Sequence, residues 1–263
     1  MFNLIKMNLY RMTKAVSSWV ILFVAMAIGV LDFAMLKITV DDPFHLGMAE
    51  TAGFTSGMNW MVALQGVFFG TTLLIVIGVF VVIFSNAETK CGFDKNIIGI
   101  TKSKWKHTLA RWISAMIGVT VIMAVTFFVT VALSFIFMNS FTAGDLLQFA
   151  KILGIIYLFY AAFSAVFFFF TTAFRSSAGG VVASLVISLG VLNMIEMLID
   201  LGFTKLFGQT RYVPSEFFLD GAYGHLSVDS ANGTLLKLTL ICVVYIVAAL
   251  GFSMFLQQKR DVK

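Results

Sequence analysis

The chain has 263 residues, 60% of them hydrophobic and only 12% charged, with a formal net charge of +5. Soluble domains carry charge on about a quarter of their residues, and a water-soluble core of this size could not hide so much apolar surface. The composition therefore excludes a soluble globular domain and points to an all-α integral membrane protein.

The first segment, MFNLIKMNLYRMTKAVSSW, lacks a short apolar core followed by a small-residue cleavage site, so it does not read as a removable signal peptide. Phe2, Ile5, Leu9, Met12 and Val16 recur at steps of 3 and 4, with Lys6, Arg11 and Lys14 off that stripe. This pattern predicts an amphipathic helix over 2–16 lying in the cytoplasmic interface, the alternative being that the first span extends into the cytosol. Six apolar stretches follow, at 18–36, 61–85, 112–138, 149–174, 179–202 and 235–256, each near the ~20 residues that cross a bilayer as a helix.

Six crossings place both termini on one side. The segments on that side hold Lys6, Arg11, Lys14, Lys90, Lys95, Lys102, Lys104, Lys106, Arg111, Arg175, Lys259, Arg260 and Lys263, which are 13 of the 18 basic residues. By the positive-inside rule that side is cytoplasmic, in a multi-pass protein of the cell membrane. The opposite loops carry Asp41, Asp42, Glu50, Asp145, Glu216, Asp220 and Asp229. Between the fifth and sixth spans, 203–234 is rich in aromatic and small residues, and short helices dipping into the outer leaflet are predicted there. No internal repeat or low-complexity linker interrupts the chain, which reads as one domain over 1–263.

Catalytic signatures are missing. There is no HExxH, GxSxG or phosphate-binding GxxxxGK[ST]. His45, His107 and His225 stand apart in predicted loops, and Cys91 and Cys242 form no CxxC, so neither a metal site nor a disulfide framework is expected. The chain reads as a non-catalytic subunit without a cofactor of its own and without a nucleic-acid partner. Work driven by ATP would need its nucleotide site on another chain.

One long polar run stands between spans two and three: FSNAETKCGFDKNIIGITKSKWKHTLARW, Phe84 to Trp112. Here Glu88 is followed by Gly92, Lys95, Ser103 between Lys102 and Lys104, and Ala110 with Arg111. This order, together with the six spans, the N-terminal helix and the long segment after span five, resembles the permease subunits of ABC-2 type transporters, small bacterial peptide, bacitracin or lantibiotic permeases among them. The resemblance implies a dimeric pathway built with a second copy or a sister permease, a cytosolic ABC ATPase that carries ATP and Mg, and an amphipathic peptide as substrate. It also implies that the loop holds a coupling helix docking into the ATPase. In that role Gly92 permits a turn, Ile97 and Ile98 supply apolar knobs, and Glu88, Lys95 and Lys102 set orientation by charge. For Lys104, Lys106 and Arg111 the simpler reading is topology and contact with anionic headgroups of the membrane lipid.

Ionisable groups within spans are costly and call for a role. Asp32 in span one, Gln65 in span two, and Asn193 and Glu196 in span five, with Asp200 one turn further, would form a polar substrate-pathway patch if those spans meet. The alternative is structural, with Asp32 or Glu196 paired to Lys37 or Arg211. The run VFFFFTTAF in span four reads as lipid-facing packing rather than an aromatic gate, and Gly66, Gly70 and Gly78 as close helix contact within the subunit. Two other functions stay open: an ion- or proton-coupled secondary transporter or channel using Asp32 and Glu196, and a membrane anchor that transports nothing. The first is disfavoured because the sequence shows no paired broken spans or inverted repeat.

Overall fold

The structure, a computed structural model, describes residues 1–41, 64, 66–68, 70–90, 104–137, 146–174, 176–207, 214–224 and 232–259. Its elements are α1 (Phe2–Lys14), α2 (Val16–Asp41), α3 (Thr71–Lys90), α4 (Lys104–Phe137), α5 (Leu146–Phe174), α6 (Ser177–Ser188) and α7 (Val191–Phe207), then a 3-10 turn (Pro214–Phe217), α8 (Leu219–Gly224) and α9 (Asn232–Lys259). No strand occurs among the described residues. Five helices, within α2, α3, α4, α5 and α9, are long and apolar enough to cross a membrane, and α6 with α7 makes a sixth if the bent pair is one span.

The bundle is built around α3 and α5. Of their apolar windows 67% is buried, against 17% for α2, because α3 packs on α2, α4, α5 and α6 while α5 packs on α3, α6 and α9. Small residues bring α3 and α6 close: a Cβ added to Gly78 would lie 3.0 Å from Ser184 Cβ and 3.2 Å from Phe167 Cε2, and one on Gly180 would lie 2.8 Å from Val82 Cγ1. Without a hydrophobic drive between helices in lipid, such close backbone approach supplies the packing energy. Gly66 serves α2 in the same way, its Cβ position lying 3.0 Å from Leu36 Cδ2.

Several expectations need correction. Span two is not a straight helix over 61–85: residues 66–68 are helical, Gly70 is not, and α3 starts at Thr71 and runs to Lys90. Span five is not continuous over 179–202. It breaks at Leu189 and Gly190, the two halves meeting at 55°, and Gly190 at φ +69° takes the left-handed conformation that costs a side-chain-bearing residue most. Broken spans are therefore present. Span three begins earlier than Trp112, since α4 starts at Lys104. The phenylalanine run is split rather than uniformly lipid-facing: Phe167 and Phe168 are fully buried in the core beside Phe163, Phe169 and Phe170 are half-buried, and Phe174 is exposed. The short helices expected between spans five and six occur as the 3-10 turn and α8.

Candidate functional site

The polar side chains gather at two ends of the bundle. At one end α3 finishes, α4 begins, α1 lies alongside α4, and the Thr108 hydroxyl donates to Gln257 Oε1 near the end of α9. Here the last turn of α3 carries Glu88, whose side chain is wholly buried and meets three basic groups. Arg11 Nη1 on α1 lies 2.7 Å from Oε1, while His107 Nε2 and Arg111 Nη1 on α4 lie 3.2 and 3.7 Å from Oε2. His107 and Arg111 are four residues apart, so one face of the opening turns of α4 presents both to Glu88. The guanidiniums also reach main-chain oxygens near the carbonyl end of α3: Arg11 Nη2 donates to Phe84 O and Arg111 Nη1 to Ser85 O, each at 3.4 Å. Cations are favoured there by the helix dipole. Each also stacks on an aromatic ring, Arg11 over Phe84 at 5.0 Å and Arg111 over Phe168 at 5.2 Å.

Such a knot adds little net stability, because desolvating its charges offsets their attraction, but it permits one arrangement of three helices and penalises others. Nothing in its geometry is a reaction centre. Its position is the point: it ties together the two helices that flank residues 91–103 in the sequence. The sequence reading placed Glu88 at an interface with another chain, whereas the structure turns it inward. Arg111 is not a lipid-contacting topology charge, and His107 lies on a helix rather than in a loop. The residue of α1 with no exposure is Asn8, off the predicted apolar stripe, while Phe2 and Val16 on that stripe are exposed. Gly92, Lys95, Ile97, Ile98 and Lys102 lie outside the described residues.

At the other end, just before the non-helical Gly70, the Phe68 carbonyl accepts from two buried phenols: Tyr160 on α5 donates to Phe68 O at 2.7 Å and Tyr223 on α8 at 2.6 Å. The Tyr223 ring fits against Phe159 and Phe163, with centroids 5.2 and 5.8 Å away. Irregular backbone at membrane depth is tolerated only under such cover. Asp32 on α2 lies beside this break, next to Thr72, with its Oδ2 3.6 Å from the Cβ position of Gly70.

Glu196, buried on α7, lies under α8 instead. A Cβ on Gly221 would stand 3.0 Å from Glu196 Oε2 and would strike the Ser215 carbonyl, so only glycine lets α8 approach so closely. Asp200, one turn on, accepts from the Ser215 N–H at 2.9 Å. Asp220 on α8 has a buried Oδ2 without a hydrogen-bond partner among the described residues, and burial raises its carboxyl from its ordinary value. Burial likewise pushes the Tyr223 phenol up.

The four expected pathway residues thus form no single patch. Asp32 lies at the break of span two, Glu196 beneath α8, Asn193 is exposed beside Gly190, and the side chain of Gln65 lies outside the described residues. α2 packs on α3 and α4, whereas α7 packs on α6, α8 and the 3-10 turn. Lys37 does not simply neutralise Asp32: it donates to Phe137 O at 3.2 Å. Among the described residues no group of three or more His, Cys, Asp or Glu is arranged to hold a metal ion.

No family model, curated protein or solved structure matches this chain.

The residues that sequence reasoning missed are Arg11, His107 and Arg111 at one end and Tyr160 and Tyr223 at the other. The four-residue spacing of His107 and Arg111, opposite an acid closing the previous span, was the available signal for the first group. The tyrosines leave none, since their roles depend on a helix break and on a helix more than sixty residues away.

Proposed function

We propose that the chain is the permease subunit of an ATP-driven exporter of the ABC-2 type, that it works in the cell membrane with both termini cytoplasmic, and that it moves amphipathic peptides. The observation that carries this reading is the Glu88 knot, which clamps α1, the end of α3 and the start of α4, the two helices on either side of residues 91–103. A loop that receives force from a separate motor must be rooted in a rigid support, or the push is lost in local bending. Gly92, Lys95, Ile97, Ile98 and Lys102 form the contact with the ATPase, which supplies ATP and Mg, and Glu88 positions that contact from below. A second copy or a sister permease completes the pathway. The test is a tagged pull-down from native membranes in mild detergent. A stoichiometric partner carrying a phosphate loop, lost when Gly92 and Ile97 are substituted, supports the reading, whereas repeated preparations without such a partner refute it.

One observation favours a second reading. Both span two and span five are interrupted, at Gly70 and Gly190, and an acid accompanies each, the half-buried Asp32 and the buried Glu196. Discontinuous spans with acids are how ion-coupled transporters form their sites. Ion-gradient-driven flux in proteoliposomes containing this protein alone, abolished by Asp32→Asn or Glu196→Gln, would select that reading over the exporter.

A further inference from the structure

The interruptions at Gly70 in span two and Gly190 in span five are both met by one short element. α8 has six residues, too few for a helix to be stable by itself, so it exists only where it is docked. Its Tyr223 phenol donates to Phe68 O at 2.6 Å, two residues before Gly70. Its Asp220 Oδ2 lies 3.9 Å from the Cβ position of Gly190, at the bend of span five. α8 buries Leu219 and Ala222 as well, and packs on the 3-10 turn, α9, α7 and α5.

The closest of these contacts brings carboxyls together. Gly221 follows Asp220 in the chain and lets α8 approach α7 until its Cβ position lies 3.0 Å from Glu196 Oε2. Glu196 is 5% exposed, Asp220 Oδ2 is buried without a hydrogen-bond partner among the described residues, and both Asp220 and Asp200 act electrostatically on the Glu196 carboxyl. The other titratable groups around α8 do not balance them. Asp200 Oδ1 accepts from the Ser215 N–H at 2.9 Å, and Glu216 of the 3-10 turn is paired with Lys237 of α9 at 2.5 Å. α9 and α5 otherwise present the phenols of Tyr245 and Tyr160, and Lys205 is exposed at the far end of α7. Among the described residues no basic group pairs with Glu196, Asp200 or Asp220. Two carboxyls that meet in a buried setting do not both ionise without a large penalty, so one of them keeps its proton. The rise of the Asp220 carboxyl on burial has the same direction.

We propose that α8 is a proton-operated brace: it stays docked across both interruptions while Glu196 and Asp220 hold a proton between them, and it leaves when both are ionised. Docking buries the carboxyls and so favours their protonated form. It is therefore tight at acid pH and weakens as pH rises. Undocking removes the Tyr223 donor from Phe68 O and releases the bend at Gly190 in one event, so a single proton governs two spans. The device stands apart from what the protein transports.

The test uses the full-length protein in nanodiscs, carrying Cys91→Ser and Cys242→Ala. It compares maleimide labelling of Ala222→Cys, a position buried under docked α8, with that of Gly224→Cys, which is exposed and has nothing within 4 Å of its Cβ position. The ratio of the two rates cancels the pH dependence of the thiol itself. It should rise about tenfold between about pH 5 and about pH 8, the linkage of one pKa unit, and stay low throughout in Glu196→Gln combined with Asp220→Asn. Tyr223→Phe, which loosens the brace and leaves the carboxyls in place, should raise the ratio at every pH and keep its slope. Should the double carboxyl variant fail to fold by circular dichroism, Asp220→Asn alone, which also breaks the pair, decides. Should Ala222→Cys itself prevent docking, amide hydrogen exchange over 219–224 in the parent chain, corrected for its intrinsic pH dependence, takes the place of the ratio. A reading flat with pH in the parent, or a slope unchanged in a folded carboxyl variant, overturns the proposal.

Discussion

Replacing Glu88 by Gln keeps the shape of the knot and removes its only acid among the described residues. Arg111, with 4% side-chain exposure, and His107, with 1%, would then be buried beside an amide. Removing one partner from a buried ion pair costs about 3–5 kcal/mol, because the remaining charge stays desolvated and uncompensated. Arg11→Gln should cost less, about 1 kcal/mol, since that side chain is 28% exposed and solvent screens its share. The decisive comparison is Glu88→Gln combined with Arg111→Met. If Glu88 exists to neutralise Arg111, the double variant is less damaged than the sum of the singles, with a coupling on the order of 2 kcal/mol. Reversible unfolding by SDS in mixed micelles measures all four proteins. A Glu88→Gln variant within about 1 kcal/mol of the parent, or strict additivity of the pair, would refute the argument that these charges depend on one another.

Gly78→Ala should cost about 1–3 kcal/mol by overpacking, because its Cβ position lies 3.0 Å from Ser184 Cβ, and Ser184→Gly should restore most of that loss. Gly154→Ala, with nothing within 4 Å of its Cβ position, serves as the control and should be neutral or slightly stabilising in the same unfolding assay. Tyr160→Phe and Tyr223→Phe should each cost under about 1 kcal/mol, the usual size of one membrane hydrogen bond. The double variant should exceed the sum, since it leaves the Phe68 carbonyl with neither phenol donor. Asp220 gives a pH dependence of known sign. Its carboxyl is raised above 3.8 by burial, so the folded chain holds that proton more tightly than the unfolded one. Its contribution to stability is present at acid pH and is lost as pH rises from the unfolded value through the folded one. Asp220→Asn should flatten that decline in a pH series of unfolding midpoints.

The membrane character, the helical class, the N-terminal helix and the short helices after span five were legible in the sequence, because they depend on local composition: runs of apolar residues near bilayer length, a 3.6-residue period, and small and aromatic residues between spans. The packing was not legible. Hydropathy reports that Phe167 is apolar, but lipid and protein interior are equally apolar, so only the contacts of α5 with α3, α6 and α9 place it in the core. The knot had the same obscurity. Arg11 is separated from Glu88 by two whole spans, and in one dimension its charge is as consistent with solvent as with a buried carboxylate. The interruption at Gly70 and the bend at Gly190 were hidden for a related reason: glycine is common in spanning helices, and whether one continues or breaks the helix depends on its neighbours. At Gly70 those neighbours are Tyr160 and Tyr223, from α5 and from α8, and only tertiary structure brings them there.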